Sequence, residues 1–161
     1  MEKHTPESVA ESFAKDSRAA AKELLGLPPV QLPDALLAAA CAISPEFVYE
    51  LKAHNLDGFD CWNAACSADP YMVDSAPPEI QAELSARVVK REPRTLDAVP
   101  YALRTKALCL QAVRRDGEAL EFVPTRLRDE ELCRVAYEST PRAFKHFPNA
   151  FWDSFSEVGS D

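Results

Sequence analysis

Leu108-Cys109-Leu110-Gln111-Ala112-Val113-Arg114-Arg115-Asp116-Gly117-Glu118-Ala119-Leu120-Glu121-Phe122-Val123-Pro124 decides the fold, because its pattern returns along the chain. Leu108-Cys109 and Ala112-Val113 are apolar pairs offset by four positions, which is one face of an α-helix. Asp116 is of the short polar type that caps a helix start, and Gly117 stands where other copies carry proline. Leu120 and Val123 then share a second apolar face, and Pro124 stops that second helix because it cannot continue the hydrogen-bond ladder.

Outward from this stretch, Pro45, Pro70, Pro93, Gly117 and Pro141 recur as landmarks at a nearly constant spacing. Each of the last four is followed, at one fixed offset, by a further proline: Pro77, Pro100, Pro124 and Pro148. Four of the five residues before the landmarks, Ser44, Asp69, Asp116 and Thr140, are good N-cap types; the fifth is Glu92. Proline fits the first helical position, where its missing N–H has no intrahelical partner.

Nine and eight positions before each landmark stand Leu36-Leu37, Cys61-Trp62, Leu84-Ser85, Leu108-Cys109 and Leu132-Cys133. Five and four before stand Ala40-Cys41, Ala65-Cys66, Val88-Val89, Ala112-Val113 and Ala136-Tyr137. Three after the landmarks are Val48, Val73, Leu96, Leu120 and Phe144, and six after are Leu51, Ala76, Val99, Val123 and Phe147.

Neither helix is long enough to be stable alone, and one pair cannot bury both its faces, so neighbours must stack. The expected fold is all-α: a short α-solenoid of tandem two-helix repeats of about 24 residues. Five helix pairs fill residues 34–155 as one domain. Residues 1–33 form an N-terminal helical cap, helical in composition from Val9 to Leu25, before the Gly26-Leu27-Pro28-Pro29 break. Residues 156–161 form a flexible tail.

With Leu127-Arg128 following, the stretch from Leu108 to Pro124 resembles the bacterial helical repeats catalogued as domain-of-unknown-function family 4116. The resemblance covers residues 106–148, with Asp116 in place of the usual turn asparagine and prolines in place of glycine in the other copies. It implies a helical repeat fold. It carries no reaction and no catalytic residue.

Composition agrees with helices. Of 161 residues only 4 are glycine and 13 are proline, which disfavours a barrel or sandwich, where turns and bulges need glycine. No apolar run reaches the roughly 18 residues of a membrane span, and Met1 to Pro6 lacks a secretory pattern, so a cytoplasmic, membrane-free protein is expected. Five cysteines without framework spacing fit a reducing compartment.

All five, Cys41, Cys61, Cys66, Cys109 and Cys133, occupy positions that are apolar in other copies, so they are read as core residues. Cys61 and Cys66 are too far apart around a helix to share a metal without further ligands. His4, His54 and His146 match no motif spacing. No phosphate loop, helix-borne histidine pair or serine elbow is present, so no catalytic residue, metal or cofactor is assigned.

Charge is more informative. Residues 1–86 carry 5 basic and 14 acidic side chains, residues 87–145 carry 13 and 9, and residues 146–161 carry 0 and 3. Arg87, Lys90, Arg91 and Arg94, and then Arg114 and Arg115, recur in successive repeats and would line one edge. Phe151, Trp152 and Phe155 gather where no further repeat follows, as a folded-back cap or a partner anchor.

The expectation is a non-enzymatic protein that binds and occludes a macromolecular partner, of inhibitor, immunity, anti-defence or effector type. A protein partner is favoured over nucleic acid bound along the arginine edge. The remaining alternative is a cysteine-dependent hydrolase or transferase using His54 or His146.

Overall fold

The computed structural model describes residues 4–28 and 32–152, and every regular element among them is helical, with no strand. The chain divides into two compact units, residues 1–84 and 85–161. The boundary coincides with the charge boundary: residues 1–84 carry all 5 basic and 14 acidic groups of the acidic segment.

In the first unit the N-terminal segment holds two helices, α1 (Pro6–Lys15) and α2 (Ser17–Leu25). Asp16 ends α1 with extended backbone and its carboxylate caps the Ala19 N–H at 3.0 Å. α1 packs on α3 (Asp34–Ile43), which packs most extensively on α5 (Phe59–Ala68). Leu36, Leu37, Ala40 and Cys41 of α3 and Cys61, Trp62, Ala65 and Cys66 of α5 are all buried. The Trp62 indole N–H reaches Asp57 Oδ2 at 3.0 Å, which satisfies its one polar atom.

Between these helices lies α4 (Phe47–Ala53), which begins just past Pro45 rather than on it. This copy has no second proline and stops differently. Asn55 adopts φ 55°, Leu56 N–H donates to Leu51 O at 3.0 Å and Asn55 N–H to Lys52 O at 3.1 Å. That is a Schellman stop with asparagine in the left-handed position.

At the other four landmarks the second helix begins on the landmark itself and is a short 3-10 helix: Pro70–Ser75, Pro93–Ala98, Gly117–Phe122 and Pro141–His146. Side chains three positions apart eclipse in this geometry, so Leu96 with Val99 and Leu120 with Val123 stack on one buried face.

α6 (Pro78–Arg91) crosses the unit boundary. In the second unit α7 (Lys106–Arg115) packs on α8 (Glu130–Ser139) and on the 3-10 helices of its own and neighbouring copies. Thr105 and Asp129, at matching positions of successive copies, cap them by accepting from Leu108 N–H and Leu132 N–H at 3.3 and 3.0 Å. Each second proline also starts something: Leu103 N–H donates to Pro100 O and Leu127 N–H to Pro124 O, both at 2.8 Å, opening a further short 3-10 turn.

Of the residues before the landmarks, Asp69 and Asp116 cap the following turn, accepting from Tyr71 N–H and Glu118 N–H at 3.0 Å. Thr140 instead accepts from Gly117 N–H, one copy back, at 3.1 Å. Gly117 sits so close to α8 that a Cβ there would lie 2.0 Å from Ala136 O. Glycine here answers a close backbone approach, which is why this copy carries it.

Candidate binding surface

The second unit sorts its cations by register. Arg104 donates from Nε to Val99 O at 2.9 Å, from Nη2 to Asp97 O at 2.7 Å and from Nη1 to Phe122 O at 2.9 Å. Arg128 repeats this one copy on, to Val123 O at 2.9 Å, Glu121 O at 3.0 Å and His146 O at 2.9 Å. Each guanidinium closes the end of its own 3-10 helix and holds a carbonyl of the next, so both arginines are structural ties. Gln81, one copy before Arg104, gives Nε2 to the matching carbonyls of Asp74 and Ala76 at 3.0 and 2.9 Å.

Trp152, one copy after Arg128, donates its indole N–H to Phe147 O at 3.1 Å and lies 5.4 Å from the Phe144 ring. It therefore folds back on the last copy while remaining 44% exposed. Phe151 is partly buried in the closing 3-10 turn Asn149–Phe151, and Phe155 lies outside the described residues.

Of the predicted edge, Arg94 is engaged. Its Nε meets Asp116 Oδ2 at 2.8 Å and its Nη2 pairs with Glu118. Partial burial opposes ionisation of Asp116, but Arg94 and the Glu118 N–H hold its carboxyl below the ordinary range. Lys145 approaches Glu118 at 3.4 Å, and Lys106 bridges Asp129 and Glu131 at 2.6 and 2.7 Å. Lys106 and the Leu132 N–H likewise lower the Asp129 carboxyl.

Lys90 and Arg91 end α6 and Arg114 and Arg115 end α7, all exposed, with Arg87 one turn earlier on α6. Each pair leads into a 3-10 helix, and those two 3-10 helices pack on one another. Cations in a last helical turn also favour the helix dipole, so part of their role is local. Arg104 and Arg128 are functional to the fold in a way that sequence reading misses; the repeated Leu103-Arg104 and Leu127-Arg128 are the available signal.

All five thiols are buried. Burial pushes Cys109 and Cys133 up to about 11, and the hydrogen bond between the Cys41 and Cys61 thiols raises Cys41 and, against burial, lowers Cys61. His146 is partly buried, which lowers its pKa against the pull of Glu121, 3.8 Å away. His54 is exposed at the end of α4. The described residues hold no cluster of three or more metal-ligating side chains, and no helix among them is long and apolar enough to cross a membrane.

These features define a chain whose described residues are all-helical and whose second unit carries exposed cations at the ends of α6 and α7. The family profile described as "Domain of unknown function (DUF4116)" matches residues 106–152, the segment that holds α7, α8 and the Arg128 tie. No curated protein and no solved structure matches the chain.

Proposed function

We propose that the chain is a short α-solenoid of five helix-pair repeats that, without catalysing a reaction, binds and occludes another macromolecule. The partner is a protein with an acidic contact surface. One observation carries this reading: in the second unit Arg94, Lys106, Arg104, Arg128 and Lys145 are committed to internal partners, whereas Lys90, Arg114 and Arg115 stand exposed at matching ends of successive copies. An unpaired row of like charge costs self-repulsion and supports docking by complementarity.

The recurring α-helix and 3-10 helix, with Arg104 and Arg128 tying successive copies in the second unit, support the solenoid. All five thiols are buried, and Cys41, Cys109 and Cys133 are pushed up, which weighs against cysteine chemistry; Cys61, lowered by its hydrogen bond with Cys41, is the one thiol shifted the other way. The test is capture of partners from lysate of the native host by the tagged chain, with and without nuclease, and identification by mass spectrometry. A dominant protein that survives nuclease supports the reading; retained nucleic acid alone removes it.

A further inference from the structure

The first unit carries a surface that the basic edge would fit. Tyr49 and Tyr71 are 43% and 62% exposed and belong to neighbouring elements, since the Tyr49 hydroxyl donates to Met72 Sδ at 3.7 Å. Exposed Glu46 and Glu50 lie on the same helical segment as Tyr49, and exposed Asp74 follows Tyr71 in its 3-10 helix. Glu46 and Glu50 also line a cavity of about 220 Å³, with Phe13, Phe47 and Arg18.

Aromatic faces flanked by carboxylates take guanidinium and ammonium groups, by cation–π contact on the ring and ion pairing at its rim. The unit bearing this face has 14 acidic against 5 basic groups. The tyrosines stand at register positions where the second unit carries charge: Tyr71 follows its landmark as Arg94 does, and Tyr49 falls where Lys145 does.

We infer that this tyrosine-carboxylate face receives the exposed Lys90, Arg114 and Arg115 of a second copy of the chain, in a head-to-tail contact. The inference rests on the reading of that edge as a docking surface and names one occupant for it. A heterologous contact of this kind leaves one face of each kind free and extends into longer assemblies unless it closes. Being largely ionic, it weakens as salt shortens the screening length from about 30 Å at 0.01 M to about 8 Å at 0.15 M.

Sedimentation velocity of the full chain across a concentration series, in low and physiological salt, reads this directly. Two variants are compared, Lys90→Glu/Arg114→Glu/Arg115→Glu and Glu46→Lys/Glu50→Lys, each checked for native helix content by circular dichroism. The expected result is concentration-dependent assembly of the parent chain at low salt, loss of assembly in each variant alone, and a 1:1 complex when the variants are mixed. Tyr71→Ala is expected to raise the dissociation constant about tenfold. A chain that stays monomeric at low salt, or variants that fail to pair on mixing, overturns the inference. Either result leaves capture of a foreign protein to decide the wider reading.

Discussion

Arg104 and Arg128, one copy apart, make the same three hydrogen bonds to the same three register positions. In each set two carbonyls belong to the arginine's own copy and one to the next, so a single side chain fixes the end of a 3-10 helix and the seat of its neighbour. The planar fork of guanidinium donors suits three fixed carbonyls as an ammonium does not.

Arg128→Met is expected to destabilise the chain by about 2–4 kcal/mol, since it leaves three carbonyls without a charged donor. Arg128→Lys is expected to recover less than half of that loss. Chemical denaturation of both variants beside the parent checks the order.

Gly117→Ala is expected to cost at least about 3 kcal/mol or to prevent folding, because the added methyl would meet the Ala136 carbonyl at 2.0 Å. Gly58→Ala, with no neighbour within 4 Å of the new Cβ, is expected to change stability by under about 1 kcal/mol. The pair of melting curves separates close approach from loss of glycine as such.

The thiols are expected to stay unlabelled in the native chain. With Cys109 and Cys133 pushed up to about 11, their thiolate fraction at pH 8 is about one part in a thousand even before burial is considered. Iodoacetamide at pH 8 followed by intact-mass measurement should add no adduct in buffer and five in denaturant. A rapid single adduct in buffer would revive the thiol chemistry.

His146 has a folded-state pKa below its unfolded value, so protons bind the unfolded chain more tightly. Its contribution to stability is full above about pH 6.5 and declines as pH falls from there toward the folded pKa. Asp116 and Asp129 are also depressed, and their contribution is lost at lower pH, as pH falls below about 4. Stability measured from pH 8 to pH 3 should therefore fall in two stages, and His146→Gln should flatten the first while sparing the second.

Much of the fold is legible in the residues. The pairs from Leu36-Leu37 to Ala136-Tyr137 mark buried helix faces because burial forces apolar choice at fixed intervals; all are buried except Tyr137, which is partly so. The division of the N-terminal segment into two helices is not legible in composition, since Asp16 breaks the backbone without glycine or proline to announce it. The carbonyl ties escape because main-chain acceptors carry no sequence signature, and a recurring arginine reads equally well as a surface charge. For the same reason the charge pattern groups Arg94 with the exposed edge: its carboxylate partners Asp116 and Glu118 lie a full copy away in sequence.

The most direct test of the central claim is paired capture from host lysate by the parent chain and by the Lys90→Glu/Arg114→Glu/Arg115→Glu variant, both treated with nuclease and quantified together by mass spectrometry. The account predicts one protein enriched on the parent and reduced at least tenfold on the variant, with the variant's melting curve unchanged. Equal recovery on both, or enrichment that nuclease abolishes, would contradict it.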